Sequence, residues 1–251
     1  MDSSSNEGKV GWQVRALLAG SWRGASVVLL SKDSHHLVVD TGMPHEAHLL
    51  ESAIQKAGLH PEDIRGVINT HFHVDHVLNN LLFPASVIYA PQQSYDWSCS
   101  LYSDLRDDQN WEKLVLKYYP ETHDYERART HMDKLRKLAL RWWDISRLGS
   151  PSQFRWVENQ PLPDGLQGMI TSGHVPGHLS VIVEDAAEPI IVAGDALLSQ
   201  NDDDHVLTMI PVNRKQFELD RAAILNRTGR ILPGHDKEFA LGGPSETPTH
   251  T

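Results

Sequence analysis

The chain contains a single cysteine, Cys99, among 251 residues. No internal disulfide can form, which fits a reducing compartment such as the cytoplasm. Long apolar runs are also missing. None approaches the roughly 20 residues that a membrane-spanning helix requires, and the mean hydropathy is −0.39. Basic residues are few: 23 Lys and Arg face 33 Asp and Glu, a net charge of −10. That balance argues against a broad nucleic-acid surface, although not against a local basic groove. Met1–Lys9 has neither the basic region nor the apolar core of a signal peptide, and is expected to be a short disordered lead. The partner that remains is a small-molecule substrate, with no nucleic acid and no membrane.

Histidine, by contrast, is plentiful, and four metal-competent side chains crowd into Asn69-Thr70-His71-Phe72-His73-Val74-Asp75-His76. Three imidazoles and a carboxylate this close repel when protonated and are costly to desolvate when bare. A bound cation removes both problems. Imidazole and carboxylate suit zinc, iron and manganese-like ions.

Around this cluster the chain alternates strand and helix signals. Val10–Ala19, Ser26–Leu30 and Leu37–Val39 read as strands. Pro44–Ala57 reads as a helix stopped by Gly58, and Ile64–Asn69 as a strand that runs into the histidine cluster. A short helix is expected over Val77–Leu82 and a strand over Val87–Tyr89. Strand signals return at Phe154–Val157, Gly168–Thr171, Leu179–Glu184, Pro189–Ala193 and Ile231–Leu232, with a helix over Arg214–Leu225. Between the halves, about 95–148 is polar, aromatic and helical in spacing. It reads as an insertion into a single domain spanning 10–240, followed by a polar tail over 241–251. Such insertions roof a cleft or form a dimer contact, so a homodimer stays open. Trp97, Tyr102, Trp111, Tyr118 and Tyr119 are expected to line a pocket for a small apolar group.

Three later segments repeat one arrangement, a strand-like run ending in Gly beside a ligand-type residue. They are Ser172-Gly173-His174-Val175-Pro176-Gly177-His178, Val192-Ala193-Gly194-Asp195 and Leu232-Pro233-Gly234-His235-Asp236. Taken in order with the first cluster, H-x-H-x-D-H, G-H-x-x-G-H, G-D and P-G-H-D, the set resembles the metallo-β-lactamase superfamily. The likeness extends from about residue 10 to about residue 240. It implies an α/β fold, the αββα sandwich of two sheets between helices, here with a helical insertion. Carried over by position, it implies that His71, His73 and His178 hold a first metal. Asp75, His76 and His235 would hold a second, with Asp195 bridging the two. Asp40, in Val39-Asp40-Thr41-Gly42, resembles the turn that supports the ligand loop from behind, and His174 takes a similar supporting place. The cofactors implied are two divalent ions, zinc being the simplest choice.

For function, the resemblance implies a metallohydrolase in which a metal-bridging hydroxide attacks the carbonyl of a small lactone, ester or thioester, with Asp75 orienting it. Lactonase and glyoxalase II relatives share the G-H-x-P-G-H-L-S segment. However, many lactonases carry a Tyr shortly after the bridging acid, where this chain has Ala196, Leu197 and Leu198. A second subgroup, that of metallo-β-lactamase domain-containing protein 1, implies an RNA nuclease. Mononuclear iron dioxygenases of the superfamily are a third choice, disfavoured by the complete second set of ligands. A scaffold that has lost catalysis is disfavoured for the same reason. The other histidines, including His35, His36, His45, His48, His60, His123, His131 and His205, are expected on the surface.

Overall fold

The structure is a computed structural model, and it describes residues 11–21, 24–107, 109–200 and 210–241. The expected lead, the Asp202–Asp204 run, His205 and the tail beyond 241 lie outside the described residues.

The first sheet holds β1 (Gln13–Leu18), β2 (Val27–Lys32), β3 (His35–Val39), β4 (Ile64–Ile68), β5 (Val87–Ala90) and β6 (Phe154–Trp156), side by side in sequence order. Its first two pairings are antiparallel and the rest parallel. The second sheet runs in the order β11 (Phe239–Leu241), β10 (Gly229–Pro233), β9 (Ile190–Gly194), β8 (Leu179–Val183), β7 (Leu166–Ile170), with only β9 and β10 parallel.

Side-chain alternation on the strands explains why these sheets stack. Val28 and Leu30 of β2, Leu37 and Val39 of β3, Val181 and Val183 of β8, and Ile190 and Val192 of β9 share one buried cluster between the sheets. Their neighbours point outward. Val27, Leu29 and Val38 pack under α1 (Ala47–Lys56) through Leu50 and Ile54. Ile182, Ile191 and Ala193 pack under α6 (Arg214–Leu225) through Ile224. Each fully buried aliphatic side chain contributes about 1.5–3 kcal/mol, so both faces of both sheets must be covered. The layers are therefore helix, sheet, sheet, helix.

Between β5 and β6 the chain forms α3 (Gln92–Asp107), α4 (Leu114–Tyr118) and α5 (Tyr125–Trp142). Met132, Leu135 and Ala139 of α5 are buried, as their spacing predicts. Trp142 is only half-buried and Ile145 is exposed, so the buried stripe of α5 stops short of them. Three further differences stand out. The helix expected over Val77–Leu82 is split into an earlier single turn, α2 (Val74–Val77), and a 3-10 turn over Asn80–Leu82, so Asp75 and His76 are themselves helical. A last strand, β11, has no counterpart among the expected strands, and its end, Leu241, is the first residue of the stretch read as a polar tail; only three residues long, it carries too little alternation to show. His131, expected at the surface, is buried with Nε2 3.0 Å from the Tyr119 hydroxyl. Among the described residues no helix is long and apolar enough to cross a membrane.

Candidate metal centre

The C-terminal ends of β3, β4, β9 and β10 meet at one edge of the sandwich, and the polar residues of interest gather there. The first is Asp40, just past β3. Its backbone sits at φ 58°, a left-handed conformation that side chains other than glycine seldom adopt. Three hydrogen bonds hold it there. Asp40 Oδ1 accepts from the Thr70 amide at 2.8 Å, and Oδ2 accepts from the Thr70 hydroxyl and from His76 Nδ1, both at 2.8 Å. The Asp40 bond commits the His76 Nδ1 proton and leaves Nε2 free. Thr70 does the same for His71: its hydroxyl, donating to Asp40, accepts from His71 Nδ1 at 3.0 Å. In the sequence Thr70 is only the residue before His71, and nothing there marks this role. Its place between the turn acid and the first histidine arises only on folding.

Two groups of ligand-type atoms result. His71, His73, His174 and Asp195 form one, entirely buried, and Asp75, His76 and His235 form the other, partly open to solvent. Within each, one nitrogen or carboxylate oxygen per residue lies within 4.8 Å of every other. Asp195 faces both groups. Its Oδ2 is 3.3 Å from His174 Nε2 and 3.9 Å from His71 Nε2, while Oδ1 is 3.3 Å from both His76 Nε2 and His235 Nε2. His235 Nδ1 donates to the Ser21 carbonyl at 2.8 Å, so its Nε2 too is turned inward, 3.6 Å from Asp75 Oδ2.

His174 and His178 stand in the reverse of their expected places. His174 Nε2 is in the buried group, 3.1 Å from His73 Nδ1. His178 lies behind it with both nitrogens committed. Its Nε2 accepts the Asp195 amide at 3.0 Å, and its Nδ1 donates to the Thr171 hydroxyl at 2.7 Å. Thr171 continues through Ser180 to the Ala193 carbonyl. His178 thus fixes the main chain of Asp195 and has no lone pair left for a cation. Of the other residues expected at the site, the structure gathers His71, His73, Asp75, His76, Asp195 and His235 in the two groups, with Asp40 behind them.

Electrostatics separate the groups. Burial is the largest cause throughout. It pushes His73 down to about 4 and His178 to about 3, and holds His71 and His174 well below the ordinary imidazole value. These rings are neutral, and those of His71, His73 and His174 keep a lone pair that His178 has already given to the Asp195 amide. For His235 burial also acts downward, but Asp195 and Asp75 lift it to about 9. For His76, Asp195, Asp40 and Asp75 likewise overcome burial and hold it well above its usual value. Asp195 is buried, yet His235 and His76 keep it ionised, well below the carboxylate range.

This donor set fits cations. His71 Nε2, His76 Nε2, His235 Nε2 and both Asp195 oxygens are buried and have no hydrogen-bond partner. Orphaned buried polar atoms are costly and rare, and five of them converging is what imidazole and carboxylate ligands look like from the protein side. Close packing keeps Asp195 in place. A Cβ on Gly234 would fall 2.1 Å from Asp195 Oδ1. Gly234→Ala is therefore expected to displace the acid, weakening metal binding at least about tenfold. A chelator-competition titration of the folded variant checks this, and parent-like affinity would contradict it.

The aromatic residues expected to line a pocket divide. Tyr102, Tyr118 and Tyr119 are core residues, Tyr102 packing on Trp143 with ring centres 4.3 Å apart. Trp97 is half-buried with its ring centre 6.3 Å from that of His73, and the buried Tyr102 ring stands 6.5 Å from the same imidazole, so Trp97 is the less buried of the two beside the site. Trp111 is half-buried against the core.

The model of the metallo-beta-lactamase superfamily matches residues 20–235. Metallo-beta-lactamase domain-containing protein 1 of Xenopus laevis is 28% identical over 206 residues, which cover 82% of this chain and 68% of that one. The Mus musculus protein of the same name is 26% identical over 233 residues, 90% of this chain and 69% of that one. Among solved structures, a metallo-beta-lactamase family protein of Thermus thermophilus superposes with a TM-score of 0.57 at 18% identity, covering 90% of this chain and 74% of that one. AidC, a dizinc quorum-quenching lactonase in complex with a product, superposes with a TM-score of 0.55 at 19% identity, covering 90% and 84%.

Proposed function

The chain belongs to the metallo-beta-lactamase superfamily, and from that premise we propose that it is a zinc-dependent hydrolase with a dinuclear centre, acting on the carbonyl of a small lactone, ester or thioester. The observation that carries the reading is Asp195, whose two oxygens each approach a different group of imidazoles at 3.3 Å. Zinc suits the donors, which are all nitrogen and oxygen. Two bound divalent ions supply a nucleophile near neutral pH and polarise the substrate oxygen.

The side chains have separate tasks. Asp195 holds the two groups at a fixed separation. Asp40 and Thr70 fix the tautomers of His76 and His71, so each presents Nε2. Asp75 is the acid of the set that reaches solvent, with a side chain 21% exposed. It orients the attacking water and passes a proton to the leaving group. Trp97 gives the buried group an apolar neighbour, which suits an acyl chain. Among the described residues, the acids of the site pair only with histidines, an arrangement without the Lys and Arg that phosphates require. The structural likeness to AidC, a lactonase by its description, points the same way.

One observation favours a second reading, an RNA nuclease. The relatives from Xenopus laevis and Mus musculus belong to the subgroup whose likeness raised that activity. A panel of lactones, esters, thioesters, β-lactams and single-stranded RNA, assayed with zinc, distinguishes the two. Turnover of a small carbonyl substrate is expected, with Trp97→Ala raising KM several-fold and leaving metal content unchanged. Cleavage of RNA alone would establish the nuclease instead. A cytoplasmic setting and a small-molecule partner are part of the same proposal.

A further inference from the structure

Besides Asp40, one buried acid lies outside both groups. Asp220, on α6, is 6% exposed. A buried carboxylate is costly unless its oxygens are used, and both are. Oδ2 accepts the Gly173 amide at 2.8 Å, and Oδ1 accepts from Gln216 Nε2 at 2.8 Å. The Gly173 amide belongs to the segment that presents His174. The same segment is tied to the lead-in of α6 by two more bonds: the Gly173 carbonyl accepts from the Asn213 amide at 3.0 Å, and the His174 carbonyl from the Val212 amide at 2.9 Å. Three consecutive peptide groups are thus anchored to one helix and its cap. Contact is close enough that a Cβ on Gly173 would fall 2.1 Å from the Phe217 nitrogen. Only the absence of a side chain lets the loop dock there.

We infer that Asp220 is a positioning residue for His174: its carboxylate, through the Gly173 amide, sets where the His174 ring stands among His71, His73 and Asp195. The inference rests on the reading of these residues as a metal centre. His174 has little freedom, with Nε2 3.1 Å from His73 Nδ1 and 3.3 Å from Asp195 Oδ2. Of the three bonds anchoring its segment, the Asp220 bond is the one made by a side chain, so substitution can probe it. Charge-assisted bonds of this kind are short and directional, which suits a geometric role. His174 was the histidine misplaced from sequence, and this anchor lies 47 residues beyond Gly173, outside the window of about 11–18 residues over which periodicity is read.

The test is zinc affinity, measured by chelator competition on the full chain, together with the absorption spectrum of the cobalt(II)-substituted protein. Asp220→Ala and Asp220→Glu are compared with Asp220→Asn and with His174→Ala. Asn keeps an acceptor at the Gly173 amide without the charge, whereas Glu keeps the charge and misplaces the acceptor. The Ala and Glu variants are expected to bind one of two zinc ions about ten- to hundredfold more weakly, and Asn to stay within about threefold of the parent. The other zinc is unaffected, and the cobalt spectra of the Ala and Glu variants shift in the direction of His174→Ala. If the Ala variant does not fold, the Asn and Glu pair decides. Parent-like affinity in both Ala and Glu overturns the inference. So does equal loss of both ions, or a Glu variant that binds well while Asn does not. A parent that binds no metal would instead refute the metal-centre reading itself.

Discussion

Replacing Asp195 with Asn is expected to lower kcat/KM by at least about 1,000-fold, because one substitution removes the ligand charge shared by both groups. The side chain keeps its volume, and the main-chain amide still donates to His178 Nε2 at 3.0 Å, so the strand end stays in place. What changes is charge. In the parent, Asp195 is ionised between His76 and His235, and an amide cannot balance positive charge on either side. Metal content should therefore fall with activity while the circular dichroism spectrum of the protein is unchanged. A variant that keeps most of its kcat with two ions bound would show that Asp195 does not join the groups.

The second large effect concerns stability. Asp40→Ala removes an acceptor from three donors at once: the Thr70 amide, the Thr70 hydroxyl and His76 Nδ1. Each buried donor left unpaired costs about 1–3 kcal/mol. Alanine also tolerates the positive φ of position 40 less well than aspartate does, which acts in the same direction. The expected loss from the three donors is about 3–9 kcal/mol, comparable with the whole stability of an ordinary domain of about 5–15 kcal/mol. Denaturant unfolding of the metal-free protein measures it. A loss below about 1 kcal/mol would mean that water replaces the carboxylate without cost. Asp40→Asn should fall between, since it retains an acceptor but offers no charge to His76.

How legible was this in the sequence? The ligand run His71, His73, Asp75, His76 was, because contiguous residues at a strand end need no knowledge of the fold to be placed together. Asp195 and His235 were legible because each stands directly after a glycine at the end of a strand-like run. The layers were legible too, since alternation in β2, β3, β8 and β9 separates the inner from the outer face. His174 and His178 were not. Four residues apart around a Pro-Gly turn, they look equivalent, and the choice between them is made by the Asp195 amide, which takes the lone pair of His178. That contact arises only once β8 and β9 pair. The insertion was read as a pocket lining because aromatic composition does not tell core from cleft. Tyr102 and Tyr119 are spent on packing with Trp143 and His131, and Trp97 faces His73. Asp220 could not be found at all, because on a helix face it reads as one more polar residue of α6.

The central claim is that His71, His73, His174 and Asp195 hold one ion, and that Asp75, His76 and His235 hold another with Asp195 between them. Anomalous diffraction at the zinc absorption edge, on crystals of zinc-loaded protein, tests it most directly. The account predicts two peaks per chain, the first contacted by His174 Nε2 and the second by His235 Nε2, with His178 Nε2 still accepting the Asp195 amide. A single peak, or a peak ligated by His178 in place of His174, would contradict it.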